Sequence, residues 1–434
     1  MFYRNNNDDN VDFLLFVEHR DRELEITSNI ASLLESMNYS VAVASTLYHQ
    51  IPSLLKIKPK VLVTPSTCFG KGSVAELFYS VYGDSITFVN LNYEQFISSW
   101  KGSYKTSSHS YSKQKQIHFV WGEYFKNQLE NNGVEGSNII ITGRPSLSLV
   151  KNRYNNMSTS ELEKYNPIFR GKKLCFIALT DGLAFVDQKK IDFIISNGAD
   201  RHGLESHVDY VKKNIKCMLI ELSSVSKLRK DVVFVIRPHP SIPESAYIDL
   251  FDKYNLQLEN NIIISKDKNA YWWLALSDYY ITNYSTLCLE AKVLGKTAFT
   301  YEKIHRDKVE KYWYTETAIP ISSIESILGN EGSVELSSSQ DLSYKERSNM
   351  YIDFDKDGLE STVKELTRLY SDKLPSRIRS PYSVLFVNKK RMLGSIVRNI
   401  YARMGFAPFG KVSKGVIKDF FDHQDVESMI KEIK

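Results

Sequence analysis

Two short segments of this 434-residue chain combine residue types that grip phosphate. The first, Arg237-Pro238-His239-Pro240, follows the apolar run Val232 to Ile236, which reads as a strand. Two prolines fix the backbone of the corner, so His239 is expected at the strand's C-terminal end. An imidazole N–H there can donate to a phosphate oxygen, and Arg237 adds fixed positive charge. Taken alone, the same corner is also a rigid turn with a surface histidine. The second segment runs from Asp278 to Gly295 and reads as a strand, the polar turn Asn283-Tyr284-Ser285-Thr286, and a helix. Ser285 and Thr286 fall at the helix N-terminus, where unpaired N–H groups and the helix dipole favour an anion. Ser285 also serves as an ordinary cap, and Glu290, one turn further in, is within reach of a ribose hydroxyl. Capping by itself does not account for His-Pro and Ser-Thr at matching strand ends.

Three further segments carry residues that could act on a substrate. Glu94, in Asn90-Leu91-Asn92-Tyr93-Glu94-Gln95, follows a strand and would take a proton from a hydroxyl or give one to a leaving group; the alternative is a plain loop carboxylate. Asp181, in Thr180-Asp181-Gly182, ends another strand and reads as a turn, where Asp and Gly are expected, or as a nucleophile. The run Glu18-His19-Arg20-Asp21-Arg22-Glu23 is six charged or polar side chains at the first strand's end. It reads as a solvated helix start with acids near the positive dipole end, or as a recognition segment in which Arg20 or Arg22 holds a substrate carboxylate.

These residues need a scaffold of strand ends, and the hydrophobic pattern supplies one. Phe13 to Val17, Val41 to Ser45, Val61 to Thr64, Ile86 to Asn90, Ile117 to Trp121 and Ile139 to Thr142 read as buried strands. Helical stretches such as Glu23 to Met37 and Gly122 to Asn131 fall between them, the rhythm of a parallel sheet covered on both faces. The rhythm restarts with Lys173 to Leu179, Val232 to Arg237, Ile262 to Ser265, Tyr279 to Thr282 and Thr297 to Tyr301, with helices at Tyr210 to Lys230, Tyr271 to Leu276 and Ser285 to Leu294. Asn152 to Arg170, polar and strandless, reads as the linker. The expectation is an α/β protein of two Rossmann-like domains, residues 11–151 and 171–370, facing a cleft across their strand C-termini, with a basic helical tail over 371–434.

Composition narrows the classes. Hydrophobic content of 42% and charged content of 25% are those of an ordinary globular protein. Cys68, Cys175, Cys217 and Cys288 lack metal-ligand spacing and sit among apolar neighbours, which suits buried thiols in a reducing compartment. His202, His207 and His305 also lack such spacing, and Trp272 and Trp273 suit helix packing. There is no Asp-x-Asp pair at a strand end, no Walker-type phosphate loop, no nucleophile elbow and no zinc-protease motif; no metal and no cofactor are expected. The polar start and the absence of a long apolar run predict a cytoplasmic protein without export signal or spanning helix. From Lys373 to Lys418 there are eleven Lys and Arg and no Asp or Glu, so the net charge of +5 leaves the rest of the chain near −6. With apolar Leu393, Ile396, Val397 and Ile400 at helical spacing, the tail suits either a helix on an anionic membrane surface or one packed back on the N-terminal domain. No nucleic-acid-binding module accompanies the charge.

The Arg-Pro-His-Pro corner and the Asn-Tyr-Ser-Thr turn resemble the donor half of several GT-B-like families: bacterial sialyltransferases, retaining Kdo transferases of surface-polysaccharide assembly, and CDP-glycerol glycerophosphotransferases. Val120 to Leu129 followed by Ile139 to Pro145 resembles a stretch shared by GT-B glycosyltransferases and UDP-GlcNAc 2-epimerases, with Arg144 where Asn is commoner. Arg22-Glu23 and Glu94 resemble, by position, the charged and acidic motifs of the surface-carbohydrate transferases, although Gln95 stands where those have Gly. The resemblance covers roughly residues 11–300. It implies a metal-independent glycosyltransferase of capsule or lipopolysaccharide biosynthesis, moving Kdo or a nonulosonic acid from a CMP donor to a glycan acceptor. His239, Ser285 and Thr286 would hold the nucleotide phosphate, and Arg237, Asn283 and Glu290 would complete the nucleotide site, Glu290 at the ribose. Glu18, His19, Arg20, Arg22, Glu23 and Arg144 would hold sugar or acceptor. The same motifs also fit transfer from CDP-glycerol or a UDP-sugar, or a non-catalytic, membrane-associated assembly protein that keeps the fold alone.

Overall fold

Among the described residues, thirteen short strands, rich in β-branched and aromatic residues, form two sheets that each lie in their own compact unit. The computed structural model describes residues 2–6, 8–66, 73–95, 109–179, 182–196, 199–239, 242–304, 315, 318–328, 350–388, 393–394, 397 and 420–433. One unit draws on Met1–Phe96, Ser103–Ser146 and Asn349–Lys434, the other on Leu147–Ser348.

The first unit holds β1 (Tyr3–Arg4), β2 (Asn10–Val17), β3 (Val41–Ser45), β4 (Lys58–Thr64), β5 (Thr87–Asn90), β6 (Ile117–Val120) and β7 (Ile139–Ile141) in the order β1-β3-β2-β4-β5-β6-β7. Every pairing is parallel except β1 on β3. Val41 to Ser45 and Phe13 to Val17 are buried throughout, as a strand covered on both faces requires. With β1 set aside, the order counted in sequence is 2-1-3-4-5-6, and the direction of winding reverses between β2 and β4.

The second unit holds β8 (Lys173–Ile177), β9 (Val232–Ile236), β10 (Ile262–Ile264), β11 (Tyr279–Thr282), β12 (Ala298–Tyr301) and β13 (Ile319–Ile321), all parallel, in the order β10-β9-β8-β11-β12-β13. Counted in sequence this is 3-2-1-4-5-6, the dinucleotide-fold order, with its switch point between β8 and β11. β13 has no counterpart in the sequence reading because Pro320 sits at its centre, opposite Thr300. Proline lacks the amide proton an inner strand needs, and β13 tolerates it at the sheet edge. The helix Arg201–Leu228 begins nine residues before the expected start, capped by Asp200, whose carboxylate accepts from the Gly203 N–H at 2.6 Å.

Two expectations about organisation change. Asn152 to Arg170 is strandless but is not a free linker. It lies in the second unit, where Leu162 and Phe169 enter a core with Trp273 and Phe176. The second unit also ends earlier than residue 370. The helix Gly358–Leu369 packs on the helix Arg20–Ser36 of the first unit and buries Leu359, Val363 and Leu366. Gly358 permits this return: a Cβ there would lie 2.5 Å from the Arg144 carbonyl carbon. The described parts of the C-terminal segment rest on the same unit. Pro381–Val387 places Val384 and Leu385 in a core with Phe78 and Tyr82, and His423–Ile433 packs on Arg20–Ser36 and β1. Of the cysteines, Cys175 and Cys288 are buried and Cys217 is half-buried, all three as free thiols; burial pushes the first two above the ordinary thiol range. Cys68 lies outside the described residues.

Candidate functional site

In the second unit, the residues at the switch point are pinned by side-chain bonds. β8 and β11 are neighbours, Ile177 opposite Ile281. The Thr282 hydroxyl donates to the Ala178 carbonyl at 2.7 Å, joining their carboxyl ends, and accepts from the Ser285 N–H at 3.3 Å. Asn283 is buried and its Oδ1 accepts from the Tyr284 N–H at 2.7 Å. The Ser285 hydroxyl accepts from the Leu287 N–H at 3.2 Å, the capping role expected of it. Asn283 and Tyr284 thus face inward, while Ser285 and Thr286 remain partly open at the start of the helix Leu287–Val293. The arrangement is a fixed turn offering two hydroxyls at the carboxyl edge of the sheet.

β9 flanks β8 on the other side and ends in the Arg-Pro-His corner. The Arg237 N–H donates to the Ile177 carbonyl at 2.8 Å, and His239, half-buried, receives the Ile242 N–H on its carbonyl at 2.8 Å. His239 and the Asn283–Thr286 turn therefore stand at strand carboxyl ends on either side of β8. The Arg237 side chain is buried and directs Nη1 to the Asp267 carbonyl at 3.3 Å, a brace between the ends of β9 and β10. Glu290 is fully buried, within electrostatic reach of Cys288 and Tyr280. A ribose contact needs an open carboxylate, and this conformation does not offer one. Pro240, Thr180, Asp181 and His305 lie outside the described residues; Gly182 opens a short helical turn that runs to Phe185.

Nothing in the sequence pattern pointed to His207. It is buried on the helix Arg201–Leu228, and its Nε2 lies 3.0 Å from the Tyr284 hydroxyl, with the rings edge to face. The residue expected to be bland thus supports the Asn-Tyr-Ser-Thr turn from behind. Trp272 and Trp273 do pack, against each other and against Tyr165.

The first unit gathers its candidates at its own switch point and on the next strand. Glu18 follows β2 and Ser66 follows β4; the Ser66 hydroxyl donates to Glu18 Oε2 at 3.0 Å, directly across the reversal. Glu23 is buried, and its Oε2 accepts from the N–H groups of Glu18 and His19 at 2.7 and 3.1 Å. Burial raises its pKa, against the lowering effect of Arg22 and those N–H groups. Glu23 closes the helix start and is not presented to a ligand. Arg20 is likewise engaged: it donates to Asp425 at 2.6 Å and to the Phe420 carbonyl at 3.0 Å, anchoring the C-terminal helix.

Arg22 and Glu94 meet. Arg22 Nη1 donates to Glu94 Oε1 at 2.6 Å, with both side chains a little over a third exposed. The loop carrying Glu94 is held on both sides. Asn92 adopts φ +46°, accepts from Asn90 Nδ2 at 2.9 Å and donates to the Phe119 carbonyl at 3.0 Å. Tyr93 donates its N–H to the Pro65 carbonyl at 2.8 Å, and buried Gln95 accepts the Trp121 N–H at 2.9 Å. Gln95, the departure from the Glu-Gly pattern, is thus a fastening. Arg144 is almost buried and stacks its guanidinium over Trp121, 4.8 Å from the ring centroid. The strand-end rule that selected Glu18 and Glu94 also applies to Ser66, which the sequence reading passed over. Among the described residues, no group of three or more His, Cys, Asp or Glu could hold a metal ion.

No family model matches the chain, and no curated protein matches it. Solved structures do. The chain is similar to a UDP-GlcNAc 2-epimerase from Neisseria meningitidis bound to UDP-GlcNAc, at 16% identity and TM-score 0.48 over 83% of this chain and 99% of that one. A putative UDP-N-acetylglucosamine 2-epimerase from Listeria monocytogenes gives 14% identity and TM-score 0.49 over 85% and 100%. The wall teichoic acid polymerase TagF gives 13% identity and TM-score 0.43 over 89% of each chain. The Rossmann-like character of each unit rests on its own strand order.

Proposed function

We propose that the chain is a GT-B-like glycosyltransferase that moves an acidic keto-sugar, Kdo or a nonulosonic acid, from a CMP donor to a glycan acceptor in bacterial surface-polysaccharide assembly. One observation carries the reading: His239 and the fixed Asn283–Thr286 turn stand at strand ends either side of β8, next to the switch point. Open α/β sheets take their ligands at such points. A hydroxyl pair and an imidazole are donors suited to phosphate oxygens, and would stabilise the charge that grows there as the nucleotide leaves. The preference for CMP comes from the motif resemblance.

In this reaction the acceptor oxygen attacks the sugar's anomeric carbon. The anomeric carbon–oxygen bond to phosphate breaks, and the electron pair leaves with CMP. Glu94 is assigned to receive the acceptor's proton. Arg22, a partly exposed guanidinium already on a carboxylate, is the residue we assign to the sugar's carboxylate.

Calorimetric titration of the full chain with CMP, CDP and UDP tests the donor. Binding of CMP in preference to UDP is expected. Tight UDP binding without response to CMP would overturn the CMP assignment, and CDP-glycerol-dependent transfer without CMP-sugar turnover would establish the polyol reading instead.

A further inference from the structure

Tyr284 belongs to a core that also contains Ile177, Val211, Ile215 and Ile281, and its hydroxyl meets an imidazole there, His207 Nε2 at 3.0 Å. Both side chains are buried. Apolar side chains of similar shape would fill this space without the cost of desolvating two polar groups. What a buried polar pair adds is a single preferred arrangement. The imidazole is itself held in place: Leu204 and Val208, in the same stretch of the helix Arg201–Leu228, pack with Ile191, Leu183 and Val186. The bonds that close the turn are short-range. The N–H groups of Tyr284, Ser285 and Leu287 go to the side-chain oxygens of Asn283, Thr282 and Ser285. The contact with His207 spans 77 positions and ties the turn to a 28-residue helix.

Ser285 and Thr286 follow Tyr284 directly in the chain, so a shift of Tyr284 carries both hydroxyls with it. Donors stabilise a growing charge best when they are fixed before the ligand arrives. We infer that His207 is a positioning residue for the nucleotide phosphate: by holding the Tyr284 hydroxyl it sets where Ser285 and Thr286 present theirs. The inference rests on the nucleotide reading of the turn. Either neutral tautomer serves. A protonated Nε2 donates to the phenolic oxygen, and an unprotonated one accepts the phenolic proton. His207 acts through Tyr284 and needs no contact with the nucleotide.

Two measurements on the full chain test this: hydrogen–deuterium exchange at the amides of Tyr284 to Leu287 without ligand, and calorimetric titration with CMP, CDP and UDP. His207→Phe should speed exchange in the turn by roughly tenfold and weaken CMP binding by about tenfold, the loss of one hydrogen bond to an ionised group. Tyr284→Phe, which removes a single hydroxyl, should do the same from the other side. His207→Gln keeps a terminal amide able to donate or accept and should restore both values to near the parent's. Met218→Ala, on the same helix and fully buried in the same core, is the destabilised control. It should melt lower and leave turn exchange and CMP affinity at parental values. Unchanged turn exchange in His207→Phe overturns the inference. So does faster exchange with parental CMP affinity, or a Met218→Ala variant that loses CMP affinity equally. A parent that binds none of the three nucleotides removes the nucleotide reading and the phosphate role with it, while the exchange rates still decide whether His207 holds the turn.

Discussion

Arg22 in the first turn of the helix Arg20–Ser36 reaches Glu94 in the loop after β5, with 2.6 Å between Nη1 and Oε1. Two strand ends are thereby joined by an ion pair that remains open to solvent. Exposed pairs contribute at most about 1 kcal/mol to folding, so the pair's placement says more about chemistry than stability. Glu94→Gln keeps an acceptor for Arg22 and removes the proposed base. Its turnover should fall by roughly a hundredfold to ten-thousandfold, with unfolding midpoint and nucleotide affinity unchanged. Single-turnover transfer assays check this; a variant with parental turnover removes Glu94 from the chemistry.

Substitutions at the proposed phosphate grip should show in affinity. His239→Ala and the double change Ser285→Ala with Thr286→Ala each delete donors to a charged ligand. A hydrogen bond to an ionised group is worth roughly 1.5–3 kcal/mol, so each variant should bind CMP at least about tenfold more weakly in calorimetry. Arg237→Ala should behave differently, because its guanidinium braces the Asp267 carbonyl: a lower melting temperature is expected before any selective loss of CMP.

The fold was readable because buried parallel strands are written as short apolar runs, and Phe13 to Val17 or Val232 to Ile236 admit little else. Strand ends then followed, and with them Glu18, Glu94, His239 and the Asn283–Thr286 turn. What a side chain does once there was less readable. Glu23 and Arg20 belong to the same charged run as Arg22, yet one caps the helix and another ties down Asp425, 405 positions away. Glu290 has the spacing of an open residue, but helix packing buries it. His207 and Tyr284 are 77 positions apart, and no local pattern links them. The chain's return to the first unit depends on Gly358, whose bare backbone contact with Arg144 leaves no signature beyond a single glycine.

That close approach is testable. In Gly358→Ala the new Cβ meets backbone atoms of Arg144 at 2.5 to 2.8 Å, and backbone cannot swing aside as a flexible side chain can. Overpacking of this kind costs about 1–3 kcal/mol. The variant should melt several degrees lower while the CMP affinity of the folded protein stays within twofold, roughly the scatter of independent distant sites. An unchanged melting temperature would mean the two segments are not in contact.

Tyr284→Phe removes the hydroxyl that meets His207 and leaves a buried imidazole nitrogen without that partner. The expected cost is about 1–3 kcal/mol in urea unfolding. His207→Phe with Tyr284→Phe should cost less than the two single changes added together, since neither polar group is then stranded. Additive losses would show that the two side chains do not depend on each other.

His118 gives the first unit a pH dependence. It is fully buried on β6, and burial pulls its pKa from 6.5 down to about 4, although its Nε2–H donates to the Ser112 carbonyl at 2.8 Å, which acts in the opposite direction. Well above about pH 6.5 the imidazole is neutral in both folded and unfolded chains, and its contribution is intact. As the pH falls from about 6.5 towards 4, the unfolded chain takes up a proton that the folded one refuses, and stability drops by up to about 3 kcal/mol. Urea midpoints across that range should therefore decline steeply for the parent and more gently for His118→Gln, which keeps a side-chain donor but has no proton to gain. Parallel curves for the two proteins would mean that His118 is not the group responsible.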